Sequence, residues 1–126
     1  MFTESLNETN VKSIASKPTL TIDWNQLSQL SDGNQDFEVE LIKLFFVETK
    51  TLLILLAEAI ALSDLRRVEH IAHQLKGSSG NMGFRAMAQI AGQLEQQARQ
   101  QKLSLASSLL HELTQRILEI QTFLEW

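Results

Sequence analysis

Apolar residues recur at intervals of three and four from residue 37 almost to the C-terminus, and this period constrains the fold more than any other feature of the sequence. Such a period places apolar side chains on one face of an α-helix, and no run of alternating β-branched residues competes with it. Five glycines and one proline among 126 residues supply few turns for a β-rich protein. The sequence therefore predicts an all-α protein.

The first predicted helix is short and follows a polar segment. Its apolar residues lie three apart: Trp24, Leu27 and Leu30. Residues 31–34, with the sequence Ser-Asp-Gly-Asn, are expected to end it. Residues 1–20 are rich in Ser, Thr, Asn and Lys and lack an apolar period, so we expect a flexible tail there and one folded domain over residues 21–126.

Four longer helices are expected to follow. Counted along the chain with the short helix as the first, the second, third and fifth helices are expected to be capped by Asp36, Asp64 and Ser104. The fourth is expected to end near Lys102. The stripe expected to face the core in the second helix comprises Phe37, Leu41, Leu44, Phe45, Leu52, Leu55, Ala59 and Leu62. The sequence thus predicts an antiparallel four-helix bundle, with the short N-terminal helix across one end.

The second helix also contains a segment, residues 52–57, that is apolar on every face. A helix of this kind is either central in the fold or part of a second interface. We therefore expect a monomer and keep a homodimer through this helix as the alternative.

Charge and composition exclude several classes of function. A net charge of −4 and a pI near 5.3 argue against binding to the nucleic-acid backbone, and the lack of cysteine excludes a thiol nucleophile. Charged residues interrupt the most apolar stretch, residues 41–62, and the N-terminus lacks the features of a signal sequence, so we expect no membrane span and a cytoplasmic location. No phosphate-binding glycine loop, dinucleotide motif or nucleophile elbow occurs, and we expect no cofactor in this chain.

The remaining candidate chemistry lies in the third helix. Measured from Leu65 at 100° per residue, its apolar stripe falls at about 280–340°. The stripe consists of Val68, Ala72, Leu75 and Ser79. His73 falls near 80°, which predicts an imidazole that faces solvent. Gly77 and Gly80 continue on the same side, and Lys76 flanks them.

This arrangement has a chemical logic. A neutral imidazole is a nucleophile near pH 7, and a lysine three residues away can balance the charge of an anion that the ring carries. A glycine inside a helix costs about 1 kcal/mol relative to alanine, so its presence needs a reason. Two glycines beside an exposed imidazole leave room for a second protein to approach closely. Together these residues indicate a histidine that accepts a phosphoryl group from a docked partner.

The stretch from Ala72 to Ser79, followed by Asn81-Met82-Gly83, resembles the signature of histidine-containing phosphotransfer (HPt) domains of multistep phosphorelays. The resemblance extends from about Asp23 to Leu124. It implies a four-helix bundle that carries phosphoryl groups and has no catalytic activity of its own.

By this resemblance, His73 is the phosphorylated residue, Lys76 balances the charge of the phosphate and Gly77 gives clearance to the partner. Gly80, His70 and Ser78 are expected on the docking face, and Gly83 is expected to end the helix. The implied partners are response-regulator receiver domains and a hybrid sensor histidine kinase, with Mg²⁺ expected on the receiver domain. Gln93 and Arg85 are both conceivable neighbours of the ring nitrogen that stays unphosphorylated.

Two alternatives come from other classes of protein. The first is a phosphorylation-inactive helical adaptor or dimerisation module, against which the intact His-x-x-Lys-Gly sequence argues. The second is a metal-binding bundle that uses His70 and His73, although no third ligand is evident and we expect no metal. Residues 64–103 carry six basic and three acidic side chains, which predicts a locally basic zone around His73. Such a zone would favour encounter with an acidic partner.

Overall fold

Five α-helices and no β-strand make up residues 19–126, the part of the chain that the structure, a computed structural model, describes. The helices are α1 Trp24–Ser31, α2 Gln35–Ala61, α3 Leu65–Met82, α4 Arg85–Arg99 and α5 Ala106–Glu125. The predicted all-α fold and the short helix before four longer ones are confirmed. Most of the predicted tail, residues 1–18, lies outside the described residues, whereas Leu20 is buried against the core.

The four long helices pack around one apolar core. Helix α2 contacts α3 and α5, and α4 contacts the same two helices, while α2 and α4 do not pack against each other. The two therefore lie at opposite corners of the bundle. Short connections join successive helices, which accordingly run antiparallel. None of the helices within residues 19–126 combines the length and the apolarity needed to cross a bilayer.

Two of the three predicted helix caps are wrong. Asp64 does cap α3, where its side chain accepts a hydrogen bond from the Arg67 amide at 3.2 Å. Helix α2 begins earlier than expected because Asn34, and not Asp36, caps it by accepting from the Phe37 amide at 3.0 Å. Asp36 instead lies in the first turn, where an acidic side chain interacts favourably with the helix dipole.

The turn between α4 and α5 also differs from the prediction. Helix α4 ends at Arg99 and not near Lys102, because Gln101 adopts a left-handed backbone with φ 58°. Ser104 does not cap α5, which follows Leu105 and has no side-chain cap. The Leu105 amide instead donates to the Gln97 side chain at 3.1 Å, so a residue of α4 satisfies this end of α5.

The apolar stripe predicted for α2 is only partly correct. The buried residues of α2 are Ile42, Phe45, Thr49, Leu53, Leu56 and Ala59. Of the predicted stripe, Phe37, Leu44, Leu55 and Leu62 are exposed. Helix α2 is apolar on two opposite sides, and periodicity alone cannot tell which of two apolar stripes faces the core.

The end of α3 is fixed by a close approach to α1. Helix α3 ends at Met82 with Gly83 as its C-cap, so Gly83 terminates the helix as predicted, and this glycine has a φ of 93°. A Cβ atom there would lie 2.8 Å from the backbone oxygen of Asp23, so only glycine fits without a shift of the backbone. The backbone amide of Asp23 donates to the Gly83 carbonyl at 2.9 Å. The side-chain Nε2 of Gln26 donates to the carbonyls of Gly80 and Asn81. Helix α1 thereby holds the last turn of α3 in place.

Candidate functional site

His73 lies in the middle of α3 and points away from the core. Its side chain is 71% exposed, whereas Val68, Ala72 and Leu75 of the same helix are buried. The structure thus places the imidazole where the helical phase predicted it. Within residues 19–126 no hydrogen bond reaches its Nε2 atom, which leaves this ring nitrogen open to solvent.

A buried carboxylate of the neighbouring helix orients the imidazole. Oε2 of Glu95, on α4, lies 2.7 Å from His73 Nδ1, and the Glu95 side chain is only 3% exposed. An ionised carboxylate can only accept hydrogen bonds, so Nδ1 carries a proton, and in the neutral form of the ring the lone pair is then on Nε2. The contact thereby fixes both the orientation and the tautomer of the ring.

Two cations accompany Glu95. Arg99 Nη2 donates to the same Oε2 atom at 2.8 Å, and Lys76 Nζ lies 3.6 Å from Oε1. Burial raises the pKa of the Glu95 carboxyl group, but the hydrogen bond from His73 and the nearby positive charges outweigh it, and the pKa lies below its ordinary value. Glu95 is therefore held as a carboxylate despite its burial.

A second carboxylate extends this network. Arg99 Nε donates to Glu69 Oε2 at 2.9 Å, so its guanidinium group bridges Glu69 on α3 and Glu95 on α4. Both contacts raise the pKa of Arg99, and the hydrogen bond to Glu69 is the larger cause. One chain of contacts thus leads from Glu69 through Arg99 and Glu95 to His73.

Neither neighbour suggested for the imidazole by the sequence is the correct one. Arg85 Nη2 pairs instead with Asp23 Oδ2 at 2.6 Å, and Gln93 is exposed and makes no hydrogen bond to His73. The residue that the sequence reasoning missed is Glu95. One signal was available, because Glu95 is an acid directly beside Leu94 on the buried face of α4, and a carboxylate on such a face needs partners.

The glycines beside His73 differ in what the fold requires of them. A Cβ atom on Gly77 would meet nothing within 4 Å, whereas one on Gly80 would lie 4.0 Å from the Cβ of Ala88. Packing within residues 19–126 therefore gives no reason for a glycine at position 77. Ser78 is half-buried, and its hydroxyl group donates to the Leu75 carbonyl at 3.3 Å.

His70 lies one turn before His73 and is exposed. A shallow cleft joins the two imidazoles to the residues around Glu95; the others lining it are Arg66, Glu69 and Arg99. Among the described residues, 19–126, no group of three or more His, Asp or Glu side chains has an arrangement suited to a metal ion.

The basic zone predicted around His73 is partly neutralised within the fold. Lys76 and Arg99 share Glu95, while Arg85 pairs with Asp23. Arg67 Nη2 pairs with Glu58 Oε1 of α2 at 3.1 Å. The excess of positive charge therefore belongs mainly to Arg66 and Lys102, for which no ion pair occurs in the described part of the chain.

Known proteins are similar to this chain in fold and in sequence. A family model described as the Hpt domain matches residues 40–123. The structure resembles the crystal structure of histidine-containing phosphotransfer protein B (HptB) from Pseudomonas aeruginosa, with a TM-score of 0.76, 26% identity, and coverage of 83% of this chain and 91% of that one.

A curated relative agrees with this assignment. The phosphorelay intermediate protein rdeA of Dictyostelium discoideum is 27% identical over 103 residues, which make up 82% of this chain and 41% of that protein. The chain thus spans about two fifths of the length of this relative. The family match covers more than half of the chain and includes α3, α4 and the whole network around His73. The chain therefore belongs to the Hpt domain family, whose members are phosphocarriers in phosphorelays and not enzymes.

Proposed function

We propose that this chain accepts a phosphoryl group on Nε2 of His73 from the phospho-aspartate of one receiver domain and passes it to another receiver domain. The observation that carries the proposal is the contact between His73 Nδ1 and Oε2 of the buried Glu95, at 2.7 Å. It leaves an exposed nitrogen with a free lone pair on a rigid helix. That geometry suits an in-line attack on a phosphorus atom.

The transfer of the phosphoryl group needs no proton acceptor. The Nε2 lone pair forms a bond to phosphorus while the bond between phosphorus and the aspartate oxygen breaks, and its electron pair leaves with the aspartate carboxylate. The imidazole ring keeps its Nδ1 proton and gains positive charge. Glu95, which accepts that proton's hydrogen bond, stabilises this charge as it develops. The return step runs through the same arrangement in reverse.

Lys76 would balance the charge of the phosphoryl group. Its Nζ atom lies 3.6 Å from Glu95 Oε1, which keeps the ammonium group near His73, and the side chain is 54% exposed. A contact of 3.6 Å is long for a charge-assisted hydrogen bond, so the ammonium group is free to turn towards an anion on Nε2. Its aliphatic stem lies beside Gly92 of α4, where a Cβ atom would be 3.6 Å from Lys76 Cδ.

The docking surface would extend from His70 past His73 to the two glycines. Gly77 is exposed and packs against no other part of the described chain, which supports its assignment as clearance for the partner. Gly80 and Ser78 continue the surface towards the end of α3. We assign Mg²⁺ to the acidic pocket of the receiver domain, where it would assist the transfer.

The partners of this site would be response-regulator receiver domains and, upstream, a hybrid sensor histidine kinase in the cytoplasm. The transfer itself is tested by mixing the purified protein with a panel of radiolabelled phospho-receiver domains and measuring the label that it gains. We expect acid-labile, alkali-stable label on the wild type and none on His73→Gln. The His73 ring is exposed but donates to the buried Glu95, so the variant should remain folded and lose about 1–3 kcal/mol of stability.

The other two histidines provide matched controls. His70→Gln and His111→Gln should both retain the label, although the first should slow its acquisition if His70 lies on the docking surface. A label that persists in His73→Gln would show that another residue is the acceptor. A folded wild-type protein that gains no label from any receiver would favour the phosphorylation-inactive adaptor instead.

A further inference from the structure

Helices α3 and α4 are paired in a constant register around His73. Each step along α3 between contacting residues is matched by an equal step back along α4. The pairs in contact are Glu69 with Arg99, His73 with Glu95, Lys76 with Gly92, and Gly80 with Ala88. Glu69 and Arg99 stand at the end of this row that is farther from the connection between the two helices. Their pairing is therefore placed to affect how α4 presents Glu95 to His73.

The guanidinium group of Arg99 contacts a carboxylate on each helix. Its Nε atom donates to Glu69 Oε2 at 2.9 Å, and its Nη2 atom donates to Glu95 Oε2 at 2.8 Å. Because the group is planar and rigid, a contact at one donor fixes the direction in which the other donor points. The Arg99 side chain is 53% exposed, so a second contact is needed to keep it from rotating. Glu69 supplies that contact.

We infer that Glu69 is a positioning residue for phosphotransfer at His73. It holds the Arg99 guanidinium group against Glu95, so that Glu95 Oε2 stays directed at His73 Nδ1. This role rests on the proposed function, and it belongs to a residue outside the reacting groups. Within residues 19–126, Glu69 itself makes no hydrogen bond to the imidazole ring.

The two cations near Glu95 differ in how firmly they are held. Arg99 donates at 2.8 Å to the oxygen that also accepts from His73, whereas Lys76 Nζ lies 3.6 Å from the other oxygen. When a phosphoryl group on Nε2 draws Lys76 away, Arg99 remains as the counter-ion of Glu95. A carboxylate that is 3% exposed would be costly to bury without such a partner. Arg99 therefore has to stay in place while Lys76 moves, and Glu69 holds it there.

The competing role for Glu69 is a direct contact with the docked receiver domain. Its side chain is 40% exposed and lines the cleft beside His70 and His73. The charge of its carboxylate is already balanced by Arg99 within the chain, which argues against a free acid waiting for a partner. The two roles also differ in their consequences, because a docking contact affects only reactions in which a protein docks. A small phosphoryl donor therefore separates them.

The role of Glu69 is tested by phosphorylating the full chain with phosphoramidate, a small donor that requires no docking. Glu69→Ala should slow phosphorylation of His73 about two- to fivefold, the range expected for an exposed ion pair. Arg99→Ala also removes the contact with Glu95 and should slow the reaction about tenfold. The double variant should be as slow as Arg99→Ala alone, because Glu69 acts through Arg99. Effects that multiply in the double variant would overturn the inference.

Nitrogen NMR of the His73 ring gives a second readout, which a mere loss of stability would not change. Glu69→Ala should raise the fraction of the tautomer that carries its proton on Nε2. Glu69→Gln keeps an oxygen that can accept from Arg99 Nε, so it should restore the wild-type tautomer. Neither NMR nor phosphoramidate involves a receiver domain. A failure of every receiver to transfer its phosphoryl group would therefore count against the proposed function and leave this test intact.

The matched control is Glu58→Ala. Glu58, like Glu69, is a partly exposed glutamate that pairs with an arginine of the neighbouring helix, in this case Arg67 at 3.1 Å. Its loss should change neither the phosphoramidate rate nor the His73 tautomer. A Glu69→Ala protein that is slow only with receiver domains, with both of these quantities unchanged, would make Glu69 a docking contact and overturn the inference. A Glu69→Ala protein that matches the wild type in every assay would overturn it as well.

Discussion

The surface around His73 and the α2 seam, which is the outward side of α2 with Leu44, Val47, Ile54 and Leu62, are both exposed helical faces of one bundle, yet they are built in opposite ways. Around His73, an exposed imidazole is held by a carboxylate that is 3% exposed, and charged residues of two helices meet there. The α2 seam consists of apolar side chains with no internal partner in the described residues. The comparison teaches that the chain itself organises the first surface, whereas no helix of residues 19–126 packs on the second.

The two surfaces also differ in the kind of interaction that they offer, which is directional at His73 and apolar at the α2 seam. The contacts of Glu95 with His73 and Arg99 are directional, and they place one ring nitrogen where a reaction can occur. The α2 seam offers apolar area, which drives association but orients no reactive group. We therefore expect changes at the His73 surface to alter phosphotransfer and changes at the seam to leave it unaffected.

The largest expected effect belongs to Gly77→Leu. A Cβ atom at this exposed position meets nothing within 4 Å in residues 19–126, and leucine has a higher helix propensity than glycine, so the free energy of unfolding should rise by about 0.5–1 kcal/mol. Transfer from a phospho-receiver should nevertheless fall by roughly a hundredfold, because a misfit at the centre of an interface costs about 2–4 kcal/mol. Initial transfer rates and thermal unfolding measure the two effects.

Two controls separate docking from chemistry in Gly77→Leu. Phosphorylation of His73 by the small donor phosphoramidate should be unchanged, since no protein has to dock. Ala57→Leu adds the same kind of bulk at an exposed position of α2 and should leave transfer unaffected. Undiminished transfer in Gly77→Leu would show that the glycine provides no clearance.

The next effect is that of Glu95→Ala. It removes the hydrogen-bond acceptor of His73 Nδ1, and hydrogen bonds to charged groups contribute about 1.5–3 kcal/mol, so transfer should slow by roughly ten- to a hundredfold. Glu95→Gln keeps an accepting carbonyl group without the charge, so its transfer rate should lie between those of the wild type and Glu95→Ala. Nitrogen NMR of the His73 ring should show the proton on Nδ1 in the wild type and a mixture of tautomers in Glu95→Ala.

The matched control for Glu95→Ala is Glu58→Ala. Glu58 is an exposed carboxylate of α2 that pairs with Arg67, and its removal should leave both the transfer rate and the His73 tautomer unchanged. A Glu95→Ala protein with the wild-type rate and tautomer would remove Glu95 from the proposed site.

A smaller effect is expected for Lys76→Ala. The loss of one partly exposed cation should slow transfer about three- to tenfold and weaken its dependence on salt. Lys50→Ala, at an exposed lysine of α2, should change neither quantity. Rates measured at two ionic strengths distinguish these outcomes, and a Lys76→Ala protein with an unaltered rate would place the balancing cation elsewhere.

The smallest effect is a pH dependence of stability. The pKa of Glu95 lies below its ordinary value of 4.5 in the folded protein, so its contribution is fully present above that value and is lost as the pH falls through the lowered pKa. The difference in free energy of unfolding between the wild type and Glu95→Gln should therefore shrink as the pH falls below about 4.5. Urea unfolding at several pH values measures it, and a constant difference would contradict the ionised state of Glu95.

Sequence patterns predicted much of this protein correctly. The three- and four-residue spacing of the apolar residues predicted the helices, and Asp64 predicted the start of α3. The helical phase of His73 relative to Val68 and Leu75 predicted an exposed imidazole. All of these depend on neighbours within one helix, whose geometry is the same in every protein. The helix caps at Asn34 and Leu105 were missed, because several polar residues near a helix start can satisfy the same amides.

The tertiary structure alone decided two matters of function. It brought Glu95 of α4 to His73 of α3, a contact between residues 22 positions apart that no helical period encodes, because it depends on how two helices are rotated against each other. It also decided which of the two apolar sides of α2 enters the core. The sequence by itself determined the helices, the exposed histidine and the glycines beside it, since these follow from local backbone geometry. The contact of Glu95 with His73, and the identity of the apolar side of α2 that stays exposed, follow only from the packing of the helices.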